Sequence, residues 1–206
     1  ARYQSAGDRP ASRIGAVVSG YLGSPSQASA VARLVAAVRK ANPRALYLCD
    51  PISGDDGDLY VPQETAAAVR DTLLPLADVA TPNLFELQWM SGRRIESEAD
   101  TIAAARALGP QRVLVTSAPA MRRNSTCNLL VTPRATIAAE HGLVPNAPHG
   151  TGDLMAATFT AGLMAGLDDE TVLKRSAATV FEMVARSVKR HSRDLLLADE
   201  QSSLIN

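Results

Sequence analysis

The chain has 206 residues, with 21 Lys+Arg balanced by 21 Asp+Glu and 46% hydrophobic residues. That length suits one domain with a sizeable core, and the neutral balance argues against nucleic acid or an anionic membrane as the main partner. No apolar run reaches the ~20 residues a membrane-spanning helix needs. Cys49 and Cys127 are the only cysteines; without a CxxC pair, neither a disulfide framework nor a zinc site is expected, and a reducing cytoplasmic setting fits. His141, His149 and His191 show no metal-ligand spacing.

Residues 1–14 read as a polar loop. Ala16-Val17-Val18-Ser19 is a short apolar strand that ends at the turn Gly20-Tyr21-Leu22-Gly23. Ser24, Pro25 and Gln27 open a helix with capping-box spacing and proline at its first position. Val31, Leu34, Val35 and Val38 supply its apolar face, and Asn42-Pro43 should stop it. Residues 45–49 form a run without polar alternation, as in a parallel sheet. A polar loop, 52–59, follows, then a helix over 62–74. Residues 78–81 are a third strand, 83–91 a short helix, and 97–108 another, capped by Ser97 with Asp100. Residues 112–116 are a fourth strand, with a loop at 117–119. Pro133-Arg134 separates two β-like runs, 125–132 and 135–140, which predicts an antiparallel hairpin. A helix over 154–166, apolar nearly all round, is expected to be buried. The last amphipathic helix covers 170–189 with Asp168 or Asp169 as cap, and Leu195-Leu196-Leu197 packs on the body.

Strands alternating with helices imply an α/β fold: a mainly parallel sheet with helices on both faces and an antiparallel hairpin before the helix at 154. In such sheets ligands sit beyond the carboxyl ends of the strands. Gly20, Asp50, Asn83 and Ser117 all fall just after a strand, so they should gather around one site.

The stretch His149-Gly150-Thr151-Gly152-Asp153 stands just before that buried helix. Glycine admits close approach of another group to the main chain, and the first N–H groups of a helix are unpaired and partly positive. A glycine turn feeding a helix N-terminus is therefore an anion site. Asp153 would repel a bound anion, which makes sense for a base that takes a proton from a hydroxyl beside a phosphoryl group. An ordinary helix cap is the plain alternative. The P-loop pattern is absent, and the dinucleotide fingerprint fails because Met155 stands where its third glycine would be.

Two further motifs carry carboxylates. Asp50-Pro51-Ile52-Ser53-Gly54-Asp55 places two around a tight turn, and Thr81-Pro82-Asn83-Leu84-Phe85-Glu86 sets an amide and a carboxylate three apart. Carboxylates beside a phosphate site point to magnesium, a hard ion that prefers oxygen ligands. Asp50 and Asp55 could also be turn residues, and Asn83 with Glu86 has capping-box spacing. Asp56 and Asp58 read as solvated charges.

Together with Gly20-Tyr21-Leu22-Gly23-Ser24, Tyr47-Leu48-Cys49-Asp50-Pro51 and Leu59-Tyr60-Val61-Pro62, these blocks resemble the pyridoxal kinases of the ribokinase superfamily, in that family's order, from about Gly15 to Leu197. The resemblance implies ATP-dependent phosphorylation of the 5′-hydroxymethyl group of pyridoxal, pyridoxine or pyridoxamine. It implies Asp153 as base and substrate contact, with Gly150, Thr151 and Gly152 as the anion hole. Asp50, Thr81, Asn83, Glu86, Thr116 and Ser117 would bind ATP, and Asp50, Asp55 and Glu86 would serve magnesium. The adenine pocket is expected around Val144 to Pro148. A homodimer in the cytoplasm is implied as well. Hydroxymethylpyrimidine kinase is the alternative within the fold, and a non-catalytic nucleotide-binding remnant the alternative outside catalysis. Family members begin with a strand, a helix and a lid-like β region that supply much of the ring pocket. This sequence opens on Ala1 in a loop, so a single domain lacking that front is expected, with the ring-binding residues outside it.

Overall fold

The structure, a computed structural model, describes residues 11–199. Most of the expected leading loop lies outside them, and Ala11–Arg13 is a short 3-10 turn. A six-stranded sheet runs in the order β1-β2-β5-β6-β7-β8. Strands β1 (Ala16–Ser19), β2 (Leu46–Cys49), β5 (Val79–Ala80) and β6 (Arg112–Ala118) are parallel. Strands β7 (Ser125–Val131) and β8 (Thr136–Gly142) form the expected antiparallel hairpin.

Successive side chains on a strand point to opposite faces, so each central strand feeds two cores. On one face Leu48, Val79, Leu114 and Leu130 pack against α5 (Thr151–Met164) and α6 (Asp169–Lys189). On the other, Tyr47, Cys49 and Ala80 meet α1 (Pro25–Ala41), while Val113, Val115 and Leu129 meet α3 (Leu84–Ser91) and α4 (Glu98–Ala107). Both cysteines are buried and free. None of the described helices is long and apolar enough to cross a membrane.

Local chemistry sets the helix starts. Gln27 Oε1 accepts from the N–H groups of Gly23 and Ser24 at 2.7 and 3.2 Å, in the expected capping box, and the Ser24 hydroxyl also pairs with that of Ser26. Ser97 Oγ accepts from Asp100 N–H at 3.1 Å, and Asp168 accepts from Glu170 and Thr171.

Five expectations need correction. Leu34 is half exposed; Ala28, Val35 and Val38 form the inward stripe of α1. The loop at 52–59 is a small hairpin, β3 (Gly54–Asp55) and β4 (Asp58–Leu59). Asp56 and Gly57 both take positive φ, 51° and 95°, the mirror-image turn that Asp-Gly favours. The helix expected over 62–74 is regular only in α2 (Gln63–Ala68), then widens over Val69–Leu73 and tightens over Leu74–Leu76. Pro75 lacks a donor and its ring crowds the carbonyl four residues earlier, so regular winding ends ahead of it. Strand β6 continues to Ala118 through a register shift after Val115, with Ser117 at φ 56°. Helix α5 starts at Thr151 and is buried on one side only: Leu154, Met155 and Phe159 face the core, whereas Met164 is exposed, because α6 and the sheet cover one flank.

Candidate active site

A cavity of about 590 Å³ opens at the carboxyl ends of the parallel strands. Its walls contain Asp50, Asp55, Thr81, Asn83, Glu86, Thr116, Ser117 and the whole Gly150–Asp153 loop. The residues nominated from sequence thus converge, coming from the ends of β2, β5 and β6 and the start of α5. Gly20 is not in the wall, although it also follows a strand. A Cβ on Gly20 would lie 3.1 Å from Ile52 Cδ1, so it backs the wall instead.

Gly150 is the N-cap of α5 at φ 93°, in the left-handed region where glycine is unstrained. The first intrahelical bond runs from Leu154 N–H to Gly150 O. The N–H groups of Thr151, Gly152 and Asp153 consequently have no helical acceptor. A Cβ at Gly152 would meet nothing within 4 Å, so the missing side chain leaves open space over these donors. Asp153, in the same first turn, is exposed to the cavity.

The acidic end is held more tightly. Asn83 caps α3: its Oδ1 accepts from Glu86 N–H at 2.8 Å, and its Nδ2 donates to Gly54 O at 2.7 Å. Glu86 returns the bond, Oε2 accepting from Asn83 N–H at 2.9 Å. Its Oε1 accepts from Ser53 N–H at 2.6 Å and from Gly54 N–H at 3.4 Å. The capping alternative is therefore realised, and the same pair staples the 53–54 turn to the helix. Glu86 is 3% exposed; burial raises its pKa, against the pull of those N–H donors. The turn is strained at Ile52, a β-branched residue at φ 38°.

Asp50 follows β2, its N–H bonded to Ser19 O at 2.9 Å. Burial pushes its carboxyl up to about 7; the Thr81 hydroxyl lowers it, and the charges of Glu86 and Asp153 add to the rise. Thr81 Oγ1 lies near enough to act on Asp50 yet has no hydrogen bond of ordinary geometry. A folded pKa above the ~3.9 of an unfolded Asp means that the folded protein holds the proton more tightly. The stability this contributes is complete below about pH 4 and is lost as pH rises through about 7. Asp50→Asn should therefore raise the thermal midpoint of the ligand-free protein at about pH 8 and change it little at about pH 4. A midpoint shift independent of pH would contradict this.

Asp50, Asp55, Glu86 and Asp153 give the cavity four carboxyl groups, and no Lys or Arg is among its described lining residues. No three described His, Cys, Asp or Glu side chains converge closely enough to hold a metal by themselves.

The far end has a different character. Val144, Val180, Phe181 and Val184 line it together with Thr126, Asn128 and His141. Of these only Val144 falls within the segment expected from sequence; Ala147 also lines the cavity, while Pro148 is buried outside its wall. Period-two alternation on β7 puts Thr126 and Asn128 on the face opposite Cys127 and Leu129, and the register pairs Thr126 with His141. That alternation was a usable signal, but only once a site on this face was known.

A family model described as phosphomethylpyrimidine kinase matches residues 11–195. The chain is 34% identical over 199 residues to the pyridoxal kinase PdxY of Leifsonia xyli, spanning 94% of this chain and 70% of that protein. It is 40% identical over 185 residues to a pyridoxine/pyridoxal/pyridoxamine kinase of Bordetella bronchiseptica, spanning 87% and 65%. Among solved structures, pyridoxal kinase from Leishmania donovani in complex with ADP superposes with a TM-score of 0.85 at 27% identity, over 95% of this chain and 72% of that one. Sequence match and fold agree, and the chain belongs to the pyridoxal kinases of the phosphomethylpyrimidine kinase family.

Proposed function

We propose that the chain transfers the terminal phosphoryl group of ATP to the 5′-hydroxymethyl group of pyridoxal, pyridoxine or pyridoxamine. The observation that carries this reading is the placement of Asp153 beside the free N–H groups of the Gly150–Asp153 loop, across one cavity from Asp50 and Glu86. Relatives support the substrate class: the Bordetella protein is named for all three vitamers, and the Leishmania kinase was solved with ADP and pyridoxamine.

In this reading Asp153 accepts the hydroxyl proton as the alcohol oxygen bonds to the γ-phosphorus. The bond from that phosphorus to the β-γ bridging oxygen breaks, and ADP leaves. The N–H groups of Thr151, Gly152 and Asp153 face the equatorial oxygens of the group in flight, where charge is spread in a loose transition state. Phosphoryl transfer asks mainly for positioning and charge neutralisation, and Thr81, Thr116 and Ser117 line the groove that positions the nucleotide.

Four carboxylates with no Lys or Arg among the described lining residues call for a cation if a polyphosphate is to be held there. The donor set is all oxygen and too sparse for a closed protein cage, which fits magnesium bound by few carboxylates, waters and phosphate oxygens. Asp50 and Asp55 would hold it, and Glu86, whose oxygens already serve backbone N–H groups, would act through water. Magnesium supplies neutralisation of the phosphate charge. A two-fold dimer in the cytoplasm belongs to the same proposal, and sedimentation as a monomer at micromolar concentration would remove the dimer.

The test is a coupled ADP-release assay with pyridoxal and with hydroxymethylpyrimidine, run with ATP and magnesium, beside a thermal-shift screen. Turnover on pyridoxal and stabilisation by ATP–magnesium are expected. The description of the matching family model favours one rival, and turnover on hydroxymethylpyrimidine alone would establish it. Nucleotide stabilisation without turnover on either acceptor would leave a binding remnant, and no nucleotide response would end every kinase reading.

A further inference from the structure

Asn128 is a buried amide, 6% exposed, in the wall of the cavity. Among the described residues its side chain has one hydrogen-bond partner, Nδ2 lying 3.4 Å from His141 Nε2. The other ring nitrogen, Nδ1, lies 3.2 Å from Gly142 O. A carbonyl oxygen only accepts, so Nδ1 carries the proton, Nε2 accepts, and Nδ2 donates to it. This relay from Gly142 through His141 fixes which way round the amide sits. Phe181 holds the imidazole from the side, with ring centroids 5.3 Å apart. One N–H of Asn128 and its Oδ1 remain free for a ligand, in an orientation the amide cannot reverse without loss. Reversal would set Oδ1 against Nε2, require the proton there, and leave a bare Nδ1 facing Gly142 O.

The location suits a base. Asn128 stands on β7, three strands from β2, whose end carries Asp50, about 14 Å at ~4.8 Å per strand. The acidic end and the Asn128 end are therefore separated by the span of an extended nucleotide. Val144, Val180, Phe181 and Val184 form an apolar wall there, fitted to a flat heteroaromatic ring. Adenine presents an amino donor beside a ring-nitrogen acceptor, the pattern an asparagine amide reads with two bonds. Guanine presents O6 and N7, both acceptors, on one edge, and O6 beside N1–H on the other. The first opposes Oδ1, and the second needs the amide turned over.

We infer that Asn128, held in one orientation by His141 and the Gly142 carbonyl, selects adenine over guanine in the nucleotide donor. Asn128 touches the base, and His141 is a positioning residue. The inference rests on the kinase reading above and deepens it.

The experiment is calorimetric titration of the whole chain with ATP–magnesium and with GTP–magnesium, for the wild type, Asn128→Asp and His141→Phe, each checked for folding by circular dichroism. The wild type should bind ATP at least about tenfold more tightly than GTP, the worth of one mismatched hydrogen bond. His141→Phe keeps an aromatic ring against Phe181 but frees the amide to turn, and should bring the ratio near one. Asn128→Asp removes the donor and should shift the preference toward GTP, which keeps the test decisive if the histidine variant fails to fold. Equal binding of ATP and GTP by the wild type, or a ratio unmoved in both variants, overturns the inference and leaves the kinase reading standing. Binding of neither nucleotide by the wild type overturns the kinase reading, and the base selection falls with it.

Discussion

Replacing Asp153 by asparagine should lower kcat on pyridoxal by roughly 10²–10⁴-fold, the usual range for a general base, while ATP–magnesium still binds. The geometry separates the two effects. Asp153 is exposed to the cavity in the first turn of α5, and among the described residues no side-chain hydrogen bond or ion pair ties it into the fold. The anion donors are main-chain N–H groups, which the substitution leaves in place. Asparagine keeps the shape and a carbonyl oxygen but cannot take a proton at neutral pH. Stability should change little, and removing one negative charge beside the phosphates should hold or improve nucleotide affinity. Steady-state kcat and a separate ATP titration check both halves. A variant with near wild-type kcat would remove Asp153 from the role of base. A variant that loses ATP binding in proportion to kcat would make it a nucleotide contact instead.

The second large effect is expected at Glu86. Removing its carboxylate in Glu86→Ala leaves the N–H groups of Asn83, Ser53 and Gly54 without their acceptor. An orphaned buried donor costs roughly 1–3 kcal/mol. Part of that is returned, because the variant no longer buries a carboxyl whose pKa burial has raised. A net loss of about 3 kcal/mol in unfolding free energy is a reasonable scale. The functional effect follows from the same bonds. The strained Ile52 turn links Asp50 to the Ser53 and Gly54 donors, so releasing the staple lets Asp50 and Asp55 drift. The magnesium concentration needed for half-maximal activity should rise more than the KM for ATP. Glu86→Gln divides the two roles: its amide oxygen keeps one acceptor while the charge is gone. A loss of stability with unchanged magnesium dependence in both variants would make Glu86 a cap and nothing more.

Both predictions concern residues legible in the sequence, but to different depths. Gly150-Thr151-Gly152-Asp153 announces itself, because a glycine at a helix start and the unpaired N–H groups behind it are consequences of local backbone geometry. The capping spacing of Asn83 and Glu86 and the Ser97–Asp100 start of α4 are local in the same sense. What local pattern left undecided was whether Glu86 serves structure or chemistry. Its partners Ser53 and Gly54 lie more than thirty positions upstream, and no spacing rule reaches that far.

The strand-helix alternation, the hairpin at Pro133-Arg134 and the anion loop were determined by the sequence alone, since turn chemistry and hydrophobic period act over a few residues. The tertiary structure decided the rest. It brought the tips of β2, β5 and β6 to one cavity and left Gly20 behind its wall. It buried only one flank of α5, although the composition of that helix is apolar nearly all round. It also turned Thr126, Asn128 and His141 toward the cavity, where they read in sequence as ordinary hairpin residues. The physical reason is common to all three outcomes. Which face of an element meets a cavity depends on strand order and register, and these are settled by side chains that meet across the sheet rather than along the chain.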